Sequence, residues 1–146
     1  MSENLKLEKQ LCFRVYNLNK TITKLYAPLL KDIGLTYPQY LVMLVLWEAN
    51  DGVPIKFLSE KLDLDTGTLS PLLKRMEAAQ LIKRQRSEDD ERSVTIALSA
   101  HGRHIKQKAR HIPGKLYSLT GMKVDELASL QHTLDKLMSN AKSHLN

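Results

Sequence analysis

Two apolar stripes near the ends of the chain constrain its fold more than any other feature. Leu11, Val15, Leu18, Ile22, Leu25 and Leu29 recur in alternating steps of four and three, the spacing that lines up side chains on one face of an α-helix. Leu127, Leu130, Leu134, Leu137 and Ala141 repeat the pattern at the other end. The first stripe predicts a long helix ending between Pro28 and Gly34, with Cys12 beside the stripe rather than at its solvent-facing back. The two stripes flank a compact central segment, so the chain holds more apolar helix than one subunit can readily cover. Pairing of two copies through these helices is the simplest burial. The expected organisation is a single domain over 1–146, with 1–34 and about 100–146 as dimerisation helices and about 36–98 between them.

The central segment reads as short elements. Thr36 is placed to cap a helix whose first turn holds Tyr37 and Pro38 and which runs, almost wholly apolar, through Trp47 and Glu48. Asn50 to Pro54 has the composition of a turn. Ile55 to Leu62 follows as a short helix with Leu58 and Leu62 inward, and Asp65 can cap another from Thr66 to about Gln80. Two short helices with a tight connection predict a helix-turn-helix. Ile82–Arg86 and Ser93–Leu98 alternate with period two around the polar stretch Ser87–Arg92, which predicts a hairpin. From Ser99 the chain returns to helix, with breaks expected around Ile112-Pro113-Gly114 and at Thr120-Gly121. The fold class is mainly α with a small β-hairpin wing: a winged helix-turn-helix with N- and C-terminal dimerisation helices.

This arrangement points to DNA. Thr66, Gly67, Thr68 and Ser70 put small hydroxyls and a glycine at the start of the second helix, the end that enters a major groove and reaches bases and phosphates. Lys74, Arg75, Lys83, Arg84 and Arg86 fall within 13 positions around the hairpin, and phosphate contacts from such a cluster would supply most of the affinity. The formal net charge of +6 suits a polyanion. Over 65–98, however, six basic side chains meet six acidic ones, so a capped core helix with a solvated basic face is the competing reading. Arg92, just past an acidic run, could enter a minor groove, with Asp90 holding its guanidinium.

Other classes fit less well. A chain of 146 residues has no room for a separate catalytic domain. A single cysteine makes no internal disulfide and reads as cytosolic. The first residues lack the pattern of a signal peptide, and the longest apolar run, Tyr40 to Trp47, is far short of the roughly 20 residues a membrane helix needs. A soluble cytoplasmic protein is expected. His101, His104, His111 and His132 form no ligand-like cluster with a cysteine or carboxylate, so neither a metal nor a cofactor is expected.

The segments Asp65–Glu77 and Arg86–Val94 resemble the MarR family of winged-helix regulators, and the resemblance extends over nearly the whole chain. Within that family, Gln10–Tyr16 and Leu35–Leu41 are similar to the one-cysteine organic hydroperoxide repressors of the OhrR type, and the MgrA and SarZ regulators share much of the pattern. The resemblance implies a homodimer on a palindromic operator of double-stranded DNA, with terminal helices at the dimer interface and Arg92 as the wing arginine. It also implies that Cys12 senses peroxide, that Tyr26 and Tyr37 of the partner donate hydroxyls to its sulfur, and that Tyr16 is a third tyrosine of the site. Taken alone, Cys12 reads as a small apolar filler. Its oxidation would give a sulfenic acid that, with no second cysteine, must be trapped by a small thiol or by more oxidant. Two further readings stay open: a regulator gated by a small aromatic ligand, or a broader redox regulator of the MgrA and SarZ kind. A thiol peroxidase using Cys12 as nucleophile is disfavoured by the absent resolving cysteine and by the recognition helix and wing, so no enzyme is expected.

Overall fold

A computed structural model describes residues 2–86 and 94–145. The expected wing tip, with Asp90 and Arg92, lies outside the described residues. The chain forms two compact units, 1–112 and 113–146. The first opens with two short 3-10 turns, Ser2–Leu5 and Leu7–Lys9, and continues through α1 (Leu11–Lys31), α2 (Tyr37–Ala49), β1 (Val53–Pro54), α3 (Ile55–Leu62), α4 (Thr66–Ala78), β2 (Ile82–Arg86), β3 (Val94–Leu98), α5 (Ala100–His104) and α6 (Lys106–Ala109). Helix α7 (Ile112–Thr120) starts at the boundary, and the second unit ends in α8 (Val124–Lys142).

The helices begin and end where local chemistry directs. The Gln39 amide donates to Thr36 Oγ1 at 3.3 Å while the Thr36 amide donates to Gln39 Oε1 at 3.0 Å, a reciprocal cap on α2. Helices α1, α3 and α4 each end on a left-handed residue, Gly34, Asp63 and Gln80. At each, the next amide, of Leu35, Leu64 and Leu81, reaches back to the carbonyl of Leu30, Ser59 and Met76, closing the last turn.

Two local expectations are corrected. Val53 and Pro54 are not only turn: they pair with Ile96 and Thr95, making a three-stranded antiparallel sheet of order β1-β3-β2. A two-residue strand is too short to show a period, and proline fits an edge strand that need not donate there. The break expected around Ile112-Pro113-Gly114 falls earlier, at Arg110 and His111, and Pro113 is the second residue of α7. A proline in the first turn forfeits no hydrogen bond, because amides there lack helical partners.

The core of the first unit gathers on α2. Tyr40, Val42, Met43, Leu46 and Trp47 are buried, and they belong to one cluster with Leu58 of α3, Leu69, Leu72, Leu73 and Met76 of α4, and Ile82 and Ile96 of the sheet. The end stripes behave differently. Leu11, Val15 and Leu18 are 58, 44 and 46% exposed, and Leu130, Leu134 and Leu137 are 38, 41 and 44% exposed; both leave apolar surface without cover inside one chain.

One junction ties the hairpin to the helices on either side. Trp47 Nε1 donates to the Gly102 carbonyl at 2.9 Å. Ser99 Oγ donates to the Gln80 carbonyl at 2.6 Å and accepts from the Gly102 amide at 2.9 Å. The Ser99 amide donates to the Leu81 carbonyl. The approach at Gly102 is so close that a Cβ there would sit 2.2 Å from the Leu81 oxygen. Gly102→Ala is therefore expected to cost about 2–3 kcal/mol, measured as a lower midpoint in urea with Trp47 fluorescence as the probe. An unchanged midpoint would show that the backbone can yield.

Candidate nucleic-acid interface and redox site

Helix α4 is built to be gripped on one side and exposed on the other. Leu69, Leu72, Leu73 and Met76 are buried beneath it, while Thr66, Gly67, Thr68, Lys74 and Arg75 are exposed and Ser70 is half-buried. Its N-terminus is set by Asp65, whose Oδ1 accepts from the Thr68 amide at 2.7 Å. That hydrogen bond holds the Asp65 carboxyl below its ordinary pKa, and the negative charge complements the helix dipole. The first turn thus presents two hydroxyls and a glycine to solvent, with α3 packed behind.

The basic cluster is brought together only in part. Lys83 and Arg86 are exposed on β2. Arg84 is instead drawn against α4, its Nε donating to Glu77 Oε2 at 3.2 Å. Neither Glu77 nor this pair stood out in the sequence, since seven positions separate them across a turn. Asp90 and Arg92 lie outside the described residues.

The tyrosines are brought together and the cysteine is not. Tyr26 of α1 and Tyr37 of α2 lie with ring centroids 4.6 Å apart, and the buried Tyr40 adds a third ring 5.6 Å from Tyr26. Sequence reasoning left Tyr40 out, although its position three residues after Tyr37 places the two on one helical face. Partial burial pushes the Tyr37 phenol above its ordinary pKa, so it stays neutral, and a hydrogen-bond donor, at physiological pH. Beside the pair opens a cavity of about 470 Å³ lined by Thr23, Ala27, Lys31, Leu35, Tyr37 and Pro38 among others.

Cys12 is exposed, in the first turn of α1. At 1.5 Å per residue, the helix puts it roughly 21 Å along the axis from Tyr26. Tyr16 is also exposed, one turn from Cys12, with Lys20 Nζ 5.1 Å from its ring centroid. Within one chain, Cys12 and Tyr16 form one locus, and Tyr26 and Tyr37 another. Among the described residues no group of three or more potential metal ligands occurs, and no helix is long and apolar enough to cross a membrane.

A helix-turn-helix whose second helix exposes its N-terminal turn, followed by a β-hairpin, defines a winged-helix DNA-binding regulator. Residues 24–109 match the family model described as transcriptional regulator SarA/Rot. The chain is 46% identical over 136 residues to the organic hydroperoxide resistance transcriptional regulator of Bacillus subtilis (strain 168), covering 93% of this chain and 92% of that protein. It is 40% identical over 139 residues to the HTH-type transcriptional regulator MgrA of Staphylococcus aureus, covering 94% of each. Among solved structures, reduced AbfR bound to DNA superposes with a TM-score of 0.83 at 30% identity, over 99% of this chain and 98% of that one. The chain belongs to the SarA/Rot transcriptional regulators, winged-helix proteins of the MarR type.

The depressed pKa of Asp65 sets a pH dependence. A carboxyl whose folded pKa lies below its unfolded value of about 3.9 adds stability above that value and loses it as pH falls through the folded pKa. Asp65→Ala should accordingly lower the urea midpoint at pH 7, with the gap to wild type closing as the pH is taken below 4. A gap that persists undiminished at the lowest pH would show that the carboxylate is not the source of the effect.

Proposed function

We propose that the protein is a dimeric DNA-binding repressor that senses organic hydroperoxide by oxidation of Cys12 and then leaves its operator. The observation that carries the reading is the separation within one chain: a packed Tyr26–Tyr37 pair beside an open cavity, and a solvent-exposed Cys12 roughly 21 Å from Tyr26 along α1. A second copy, seated through the uncovered stripes of α1 and α8, can bring its Cys12 to this pair. The similarity to the hydroperoxide resistance regulator and to AbfR supports the same assignment.

The chemistry follows from the residues. The Cys12 sulfur lies in the first turn of a 21-residue helix, and the phenol hydroxyls of Tyr26 and Tyr37 in the second copy would donate to its thiolate. The thiolate attacks one peroxide oxygen: an S–O bond forms, the O–O bond breaks, and the alkoxide leaves and takes a proton to give an alcohol. The sulfenic acid then condenses with a small thiol, releasing water and forming a mixed disulfide. The added bulk at a subunit interface would displace the two DNA-binding lobes and spoil their spacing.

On DNA, the exposed first turn of α4, with Thr66 and Thr68, and the half-buried Ser70 just beyond it would read a major groove, while Lys74, Arg75 and Arg86 meet phosphates. Arg92, held by Asp90, would reach the minor groove. Two such halves suit a palindrome. In this reading the protein turns over no substrate and works in the cytoplasm.

The test is a gel-shift titration on DNA upstream of the protein's own gene, with and without cumene hydroperoxide plus a small thiol. Wild type should lose binding on oxidation and Cys12→Ser should not; retention of binding by both would remove peroxide sensing. Tyr37→Phe, losing one hydrogen bond to a charged sulfur, should oxidise roughly tenfold more slowly.

The partner requirement has its own test. Cys12→Ser and the double variant Tyr26→Phe/Tyr37→Phe each lack a working site, but a mixed dimer regenerates one, joining the Cys12 of one subunit to the tyrosines of the other. Co-refolding the two in equal amounts should restore fast oxidation to about half of all cysteines, those that fall in mixed dimers. Oxidation no faster than in the tyrosine variant alone would place cysteine and tyrosines in one subunit.

A further inference from the structure

We infer that Arg84 is a positioning residue for DNA binding, a strut that with Glu77 holds the wing hairpin against α4, and not a phosphate contact. The inference rests on the DNA-binding reading above. Glu77 lies in the last turn of α4, where the helix dipole disfavours a carboxylate; a cation fixed beside it removes that cost. Arg84 supplies the cation from β2, where it pairs with Ile96 of β3 and shares a strand face with buried Ile82. Its Nε donates to Glu77 Oε2 at 3.2 Å, and the two side chains are only 29 and 45% exposed. The terminal nitrogen Nη2 is enclosed, with no hydrogen-bond partner among the described residues. A guanidinium held at Nε and enclosed at Nη2 is not free to turn to a phosphate without breaking the bond to Glu77. By contrast, Lys83 and Gln85 occupy the opposite strand face and are exposed, as is Arg86 at the strand end.

The two readings predict opposite signs at Glu77. If the pair only tunes surface charge, removing the carboxylate makes the region more positive and tightens DNA binding. If the pair is a strut, removing either partner loosens the wing and weakens binding. The salt dependence separates them again, because each lost phosphate contact lowers the slope of log Kd against log salt by about one.

The experiment is fluorescence anisotropy with a labelled duplex from upstream of the protein's own gene, over a salt series, for wild type, Arg84→Gln, Glu77→Gln, the double variant and Arg86→Gln. Arg84→Gln and Glu77→Gln should each weaken binding about threefold to fivefold, the range open to a partly exposed pair. The slope should stay at the wild-type value, and the double variant should be no weaker than the weaker single one. Arg86→Gln should lower the slope by about one. A slope reduced by about one in Arg84→Gln, or tighter binding by Glu77→Gln, overturns the proposal. Hydrogen exchange without DNA provides a second readout: the β2 amides should exchange about threefold to fivefold faster in both single variants, with α1 unchanged, and unchanged β2 exchange also overturns it. Wild-type protein that binds no duplex overturns the DNA-binding reading and this role on DNA with it, while the exchange result still scores the strut.

Discussion

The contact between Gly102 and the Leu81 carbonyl sets the geometry on which the DNA-binding half depends. Three elements meet there with no room for even one carbon atom. The hairpin leaves α4 at Leu81 and returns at Ser99, whose amide and hydroxyl bond to the Leu81 and Gln80 carbonyls. Helix α5 starts on that same hydroxyl, and its Gly102 carbonyl receives the Trp47 indole of α2. A winged helix works only if its recognition helix and its wing keep one orientation. Here the base of the wing is clamped to the most buried helix of the unit, and the Glu77–Arg84 pair lies farther out along the same seam.

Burial and exposure divide the remaining labour. Apolar residues under α4 commit one side of the helix to the core, which leaves its capped first turn and basic residues to solvent. The uncovered leucines of α1 and α8 are a cost that a single chain does not recover, since each holds apolar area in water. A second copy seated on them, as proposed, would recover it. The same arrangement would carry Cys12, stranded at the far end of α1 from the tyrosines, into a partner's site. Sensing and association would then share one surface, so that a change at the sulfur is felt by the dimer.

Much of the architecture was legible in the sequence. The ends of α2, α3 and α4 follow from Thr36, Asp65 and the turn residues between them, because capping is a local interaction between near neighbours. The hairpin was legible because alternation reports a half-buried strand. The strand Val53–Pro54 was not, since its partner lies more than forty positions later and two residues carry no period. Pro113 misled for a related reason: composition marks a proline as a breaker but not which side of it the helix lies on. For the site, the hydroxyl-rich turn of α4 could be read directly, whereas Arg84 could not be told from its basic neighbours until Glu77 was placed beside it.

The sequence by itself determined the succession of helices and strands, the apolar faces and the residue types available for DNA and for redox chemistry, because each depends on spacing and on local hydrogen bonds. Only the tertiary structure decided which of those residues meet. It packed Tyr26, Tyr37 and Tyr40 into one cluster, held Arg84 against Glu77, closed Gly102 onto Leu81, and left Cys12 apart from the tyrosines. The physical reason is that a rigid helix holds positions on it a fixed distance apart, and the packing of distant segments chooses which faces touch; neither distance nor partner is written in local pattern.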